Sequence, residues 1–317
     1  MKGARMQRRQ WLAAAAAGLA CALGPRAVWA GADVAGVGGT SAPKRIVVMD
    51  FGLTEMLLTL GVTPLATSVP DWYRRTNVAP PLPAGVIDIG LLYQPNVELL
   101  EQLRPDLLLL TPAHAPMRAQ LERIAPTLTL ALSANGVAPW TQIANETRRL
   151  ARVLHREPQA QATIAAADAQ VGAARARLPA GGESAAPIFV VEFIDDRHLL
   201  VFGTGSLFGD VMTRMGLRNA WTGPTNARGY AVTDFTRLAD AADTADAAHA
   251  RLVHIDPLPD AARATLAQGV LWHSLPFVRA GRVAGMPKVS QGGALYSGAR
   301  FARQLADVLL APEGQHA

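Results

Sequence analysis

A chain of 317 residues, half of it apolar and only 17% charged, can bury a sizeable core and falls outside the disordered class. Its formal charge of +5 is local: Lys2, Arg5, Arg8, Arg9 and Arg26 lie in the first thirty residues, which hold no acid, and the remainder is neutral. That balance argues against nucleic acid as a partner.

In chain order, "QRRQWLAAAAAGLACALGPRAVWA" joins paired arginines to a short Ala-rich apolar run and a small-residue site ending at Ala30. The run is too short and too Ala-rich for a membrane span, and the pattern is that of an export signal over residues 1–30. Arg8-Arg9 followed by Trp11-Leu12 resembles a twin-arginine signal, which carries folded proteins across the bacterial inner membrane; an ordinary secretory signal is the alternative. Either signal places the mature protein in the periplasm. Cys21 is the only cysteine and lies inside this segment. A lipid-anchored form through Cys21 is a further alternative, although Gly18 stands where such sites usually carry Leu. Cleavage after Ala30 leaves no thiol, hence no disulfide and no thiolate chemistry.

Residues 31–43 form a small-residue linker. From 44 to 139 strands and helices alternate: "RIVVMD" is a buried strand, "GLTEMLLTLG" a helix stopped by Gly61, and "PLATSV" and "VIDIG" short strands. Between them "DWYRRTNVAPPLPAG" reads as a long polar, Pro-rich loop of the kind that carries function. Asn96 caps the helix "VELLEQL", Pro105 closes it, and "DLLLL" is a wholly apolar strand. A helix near 117–125 and the strand "TLTLAL" complete a lobe with a mostly parallel sheet. Residues 140–178 lack glycine except Gly172 and carry Pro158, so they read as one long connecting helix, kinked or capped near Pro158, or as two in tandem. A second α/β lobe follows over 179–317: "IFVVEFI" paired with "HLLVFG", the helix "SLFGDVMTRMG", the strand "ARLVHID" and a terminal helix over 295–310. The fold class is therefore α/β, two lobes with mostly parallel sheets joined by a long rigid helix, with a ligand cleft between the lobes.

Taken together, "RIVVMDFGLTEMLLTLGVTPLATS", "PPLPAGVIDIGLLYQPNVELLEQLRPDLLLL", "IDDRHLLVFGTGSLFGDVMTRMGLRNAW" and "LWHSLPFVRAGRV" resemble, in order and spacing, the periplasmic ferric hydroxamate-binding proteins. Those belong to the substrate-binding proteins with a rigid helical connector, which also include haem and cobalamin binders. The resemblance runs from about residue 44 to the end. It implies capture of a ferric siderophore and delivery to an inner-membrane ABC permease driven by a cytoplasmic ATPase. No chemistry is performed and no cofactor is held; a monomer is expected. Haem or cobalamin is the alternative cargo, with His114 or Tyr93 as an axial ligand.

The resemblance also locates the site, and here the chain departs from its pattern. The arginine that the family's "GLxxxP" turn aims at the iron-chelating oxygens falls on Leu92, beside Tyr93. A tyrosine sharing that contact falls on His114. Cleft tryptophans fall on Thr76, Arg228 and Ser290, and a further aromatic on Gly292. The expected ligand contacts are Trp72, Tyr73, Arg74, Arg75, Tyr93, His114, Arg228, Tyr230, Ser290 and Gln291. Arginines in place of aromatics suit carboxylate oxygens better than a neutral chelate, so a more anionic ferric complex is expected. Family members dock on their permease through one carboxylate per lobe, and the matching positions are Glu98 and Asp210. The scattered histidines show no metal-ligand spacing, and no nucleophile or paired-carboxylate signature marks an enzyme.

Overall fold

The computed structural model describes residues 41–179, 186–242 and 249–311; the export signal over 1–30, Cys21 and most of the 31–43 linker lie outside them. The first lobe is built on β1 (Ile46–Val48), β2 (Ala66–Thr67), β3 (Ile87–Asp88), the hairpin pair β4 (Gly90–Leu91) and β5 (Gln94–Pro95), β6 (Leu107–Leu110) and β7 (Thr127–Thr129). Its main sheet has the order β3-β2-β1-β6-β7, parallel at every pairing. An all-parallel sheet must be covered on both faces, which is why β6 can be four leucines, each without exposed surface. Burying each stabilises the lobe by about 2 kcal/mol.

Helix α1 (Phe51–Thr59) follows β1, with the Asp50 side chain accepting from Leu53 N as its cap. Helix α2 (Pro70–Thr76) occupies the first half of the stretch expected as a loop, because Pro70 at its start supplies a pre-set φ. Helix α3 (Val97–Leu103) is capped by Asn96 as expected. The helix expected near 117–125 is a 3₁₀ turn, Pro112–Met117, running into the short α4 (Arg118–Leu121).

Of the two readings of the connector, the tandem one holds. Helix α5 (Pro139–Leu154) ends where His155 takes a left-handed φ of 54° and Arg156 N returns to Ala151 O. Helix α6 (Glu157–Arg177) then starts with Pro158 in its first turn. The two lie side by side, since Trp140 near the start of α5 donates from Nε1 to Asp168 in the middle of α6 at 2.8 Å. Both bridge the lobes. Arg149 and Gln142 of α5 donate to the carbonyls of Thr129 and Ala131 at the end of β7, and Thr163 of α6 donates to Thr59 O in α1.

The second lobe holds β8 (Ile188–Phe193), β9 (His198–Phe202), α7 (Leu207–Arg214), β10 (Tyr230–Asp234), α8 (Phe235–Ala242), β11 (Arg251–Ile255), α9 (Asp260–Gln268), α10 (Val270–Ser274), α11 (Pro276–Arg279), β12 (Val283–Met286) and α12 (Leu295–Leu310). Its sheet, ordered β10-β9-β8-β11-β12, is mixed: β8, β11 and β12 are parallel, and the β8–β9 hairpin expected from the sequence adds an antiparallel edge with β10. Trp221, Trp272, Phe189, Phe193 and Phe277 fill its core. Helix α12 packs on α6, where Arg177 and Asp307 pair at 2.7 Å.

Helices α5 and α12 are among those that start without a capping side chain of their own: Ala138 precedes α5 and Ala294 precedes α12. Each receives a carboxylate from elsewhere. Asp210 of the second lobe accepts from Trp140 N at 2.8 Å. Glu55 of the first lobe accepts from Ala294 N and Ser297 N at 2.9 Å and from Ser297 Oγ at 2.5 Å. Asn77 Nδ2 adds a longer contact to Glu55 at 3.4 Å. Each carboxylate thus satisfies N–H groups that would otherwise be orphaned at a helix end.

Truncating Glu55→Ala strands those donors in a buried seam, and the expected loss is about 3 kcal/mol in urea unfolding. Burial pushes the Glu55 carboxyl above its ordinary 4.5, against the pull of the Ser297, Ala294 and Asn77 donors. Its contribution is therefore full below about pH 4.5 and declines as pH rises through the elevated value. Relative to Glu55→Gln, which does not titrate, the wild type should gain stability on acidification. A wild-type advantage that shrinks on acidification would mean that the four donors outweigh burial.

Candidate functional site

All strands of the first sheet point one way, so the segments leaving their carboxyl ends gather along one edge. These are Asp50 after β1, α2 after β2, the β4–β5 hairpin after β3, and the 3₁₀ turn after β6. Asp88 accepts from Gly90 N at 2.8 Å and Val69 N at 3.1 Å, which ties the starts of the hairpin and of α2 together. Gly90 takes φ 86°, a turn that favours glycine. At the hairpin tip Tyr93 is 57% exposed and Leu91 58% exposed, an apolar pair presented at the mouth.

His114 does not stand beside them as a contact for the ligand. It is 1% exposed and both its nitrogens are engaged within the protein. Thr111 N approaches Nδ1 at 3.1 Å, and Nε2 lies 2.9 Å from Leu92 O. Its ring leans on that of Tyr93, with centroids 5.3 Å apart.

Tyr73 is likewise corrected. It has no exposed surface, donates its hydroxyl to Pro80 O at 3.1 Å, and packs with Phe51, Leu58, Leu82 and Val86. The Pro-rich segment folds back over α2 and encloses it. Arg74, on the same helix, pairs with Asp71 at 2.8 Å on the surface. Trp72 is 53% exposed, with the Arg75 guanidinium 5.7 Å from its ring centre, a cation–π contact that leaves both groups open to solvent.

From the second lobe Arg228 arrives on a turn before β10, where Asn226 Oδ1 accepts from Arg228 N and Tyr230 N. Its exposed guanidinium reaches the loop that follows β12: a Cβ placed on Gly292 would lie 3.5 Å from Nη2 and 3.7 Å from Ser290 Oγ. On the other side of that loop, a Cβ placed on Gly52 would lie 2.7 Å from Gly292 O. The loop therefore runs between α1 of one lobe and Arg228 of the other, and only glycines admit so close an approach. Asp50 stands at this seam. Burial pushes its carboxyl up, while the positive charge of Arg228 and the N–H groups of Leu53 and Gly52 draw it down. Ser290 and Gln291 are half-buried on the same loop. Tyr230 is half-buried with its ring edge-on to Phe202, partly a core residue.

The structure thus brings Asp50, Gly52, Arg228, Ser290 and Gly292 to one inter-lobe seam, sets Tyr93 at the carboxyl edge of the first sheet, and buries Tyr73 and His114. Asp50 and Gly52 were missed by the sequence reading; an acid directly after a buried strand was their only signal. A separate groove of about 810 Å³ lies between α5 and α6, lined by Asn145, Arg148, Arg152 and Asp168 among others, and shares no residue with this seam.

The two acids expected to meet the permease differ. Glu98 is exposed in the first turn of α3. Asp210 is not a surface carboxylate: it is 8% exposed, holds Trp140 N, and lies 3.4 Å from Arg214 Nε.

A family model described as periplasmic binding protein matches residues 46–289. The iron(3+)-hydroxamate-binding protein FhuD of Escherichia coli is 33% identical over 263 residues, covering 83% of this chain and 86% of that one. The ferric-anguibactin-binding protein FatB of Vibrio anguillarum is 27% identical over 58% of this chain and 56% of its own. Among solved structures, FhuD from Vibrio cholerae bound to Fe3+-Desferal superposes with a TM-score of 0.76 at 26% identity, over 84% of this chain and 98% of its own.

Asp210→Ala should lower unfolding stability by about 2 kcal/mol, through the lost cap and the unpaired Trp140 N. Glu98→Ala should leave it within about 0.5 kcal/mol. Denaturant melts of the two variants check this, and an unaffected Asp210→Ala would return that residue to the surface.

Proposed function

The chain belongs to the periplasmic binding protein family, and from that membership we propose that it captures a ferric siderophore in the periplasm and delivers it to an inner-membrane ABC permease with a cytoplasmic ATPase. It performs no chemistry on its cargo. The cargo we propose is an anionic ferric chelate that carries carboxylate oxygens.

The observation that carries the second part is Arg228. Its guanidinium is exposed at the seam, faces a loop of small residues, and lies near enough to the buried Asp50 for its charge to act on that carboxyl. A planar five-donor cation so placed favours bidentate carboxylate acceptors over a neutral chelate. Arg75, stacked on Trp72, adds positive charge near the same edge of the sheet. Tyr93 and Leu91 supply the apolar contact that any bulky chelate needs. For the haem or cobalamin alternative, an axial bond from His114 would require breaking its contact to Thr111 or Leu92, which leaves the exposed Tyr93 as the axial candidate.

Titrating ferric complexes against tryptophan fluorescence tests the reading. In the chain starting at Gly31, which lacks Trp11 and Trp29, Trp72 is half-exposed while Trp140, Trp221 and Trp272 are buried, so quenching reports mainly on the cleft edge. Ferric carboxylate chelates should bind more tightly than neutral hydroxamate ones, and Arg228→Ala should weaken only the former, by about tenfold or more. Tight hydroxamate binding unaffected by Arg228→Ala would overturn the anionic-cargo proposal.

For Glu98 we propose the permease contact of the first lobe. Glu98→Arg should reduce iron uptake by cells several-fold while ligand affinity stays at the wild-type value. Unchanged uptake would remove Glu98 from the docking face.

A further inference from the structure

Resting on the ferric-chelate reading, we propose that His114 is a positioning residue that sets cargo affinity without touching the cargo, by holding the turn that presents Tyr93. Leu92 and Tyr93 form the two-residue connection of the β4–β5 hairpin, whose pairings are Gly90 with Pro95 and Leu91 with Gln94. A hairpin of that length does not hold its shape alone. Its turn carbonyl, Leu92 O, is tied across 22 residues to His114 Nε2 at 2.9 Å.

The chemistry of the two partners fixes the proton. Leu92 O can only accept, so Nε2 carries the hydrogen; Nδ1 meets the donor Thr111 N at 3.1 Å and the Thr111 hydroxyl at 3.0 Å, both nearer than Thr111 O at 3.3 Å, and so is the acceptor. Both ends give the same neutral tautomer. The ring is closed off from solvent, its face leans on Tyr93 at 5.3 Å, and Tyr93 remains 57% exposed. His114 therefore fixes the backbone of the turn with one nitrogen and backs the aromatic ring with its own, while Thr111 holds it from behind. The bracket supports a turn that presents two large apolar side chains to solvent, Leu91 and Tyr93.

Two near-isosteric variants separate the halves of the bracket. In His114→Gln the side-chain amide nitrogen can reach the place of Nε2 and keep the bond to Leu92. In His114→Asn the amide oxygen keeps the place of Nδ1 against Thr111 and the Leu92 bond is lost. Affinity for ferric chelates that the wild type binds should stay within a few-fold in His114→Gln and fall about tenfold in His114→Asn. Placed on Tyr93→Ala, the two should no longer differ, because the ring they position is gone. Equal affinity of the Gln and Asn variants, or a difference that survives removal of Tyr93, would overturn the proposal. A readout independent of cargo is the long-range proton–nitrogen spectrum of the imidazole: a hydrogen on Nε2 is expected, and a ring protonated on Nδ1 alone refutes the bracket. A wild type that binds no ferric chelate, while showing the expected tautomer, would instead defeat the function on which the proposal rests.

Discussion

The two lobes hold one another through an exchange of carboxylates at helix ends. Glu55 stands in an apolar helix of the first lobe, wholly buried, and caps the last helix of the second lobe. Asp210 stands in an apolar helix of the second lobe and caps α5, which sets out from the first. A carboxylate withdrawn from water is tolerable only when donors surround it, and the uncapped starts of α5 and α12 offer those donors. Separating the lobes would break the capping bonds at both helix starts, an argument for a fixed joint. Arg300 adds to it, donating to Asn77 O at 2.9 Å and to Lys288 O.

A fixed joint shapes how a ligand can be held. Hinge-type binders gain affinity by closing around cargo; here the braces formed by α5, α6 and α12 leave little to close. Contacts must be in place beforehand, which is why the positions at the seam are small or rigidly supported. Gly52 and Gly292 let the loop after β12 pass between lobes, and Tyr93 is backed by a histidine whose nitrogens are both occupied. Arg228, exposed and long, is the adaptable group in an otherwise preformed surface.

Much of this was legible in the residues. Alternating apolar strands and helices announced the parallel first sheet, and the terminal helix runs over Leu295–Leu310 as expected. The β8–β9 hairpin was visible in two apolar runs separated by an Asp-Asp-Arg turn. Side-chain direction was less so. Tyr73 sits in a polar, Pro-rich stretch that reads as solvent-facing; only the fold of 77–86 back over α2 shows that it is buried. His114 and Asp210 were expected to meet the cargo and the permease, yet here each satisfies a backbone group of its own chain. The reciprocal caps did leave a trace: "VAPWTQ" and "GGALYS" begin helices without Ser, Thr, Asp or Asn at the N-cap, while Glu55 and Asp210 interrupt apolar helical runs. A missing cap and a misplaced acid are each weak signals, and what joins them is tertiary.

The most direct test measures the distance between lobes. Nitroxide labels at Gln102→Cys and Arg237→Cys, both exposed, can be placed on the chain starting at Gly31, which has no other cysteine. Pulsed dipolar spectroscopy with and without a bound ferric chelate should give the same inter-label distance to within about 2 Å. A shortening of several ångströms on binding would contradict the fixed joint, and with it the view that the cleft is built before its cargo arrives.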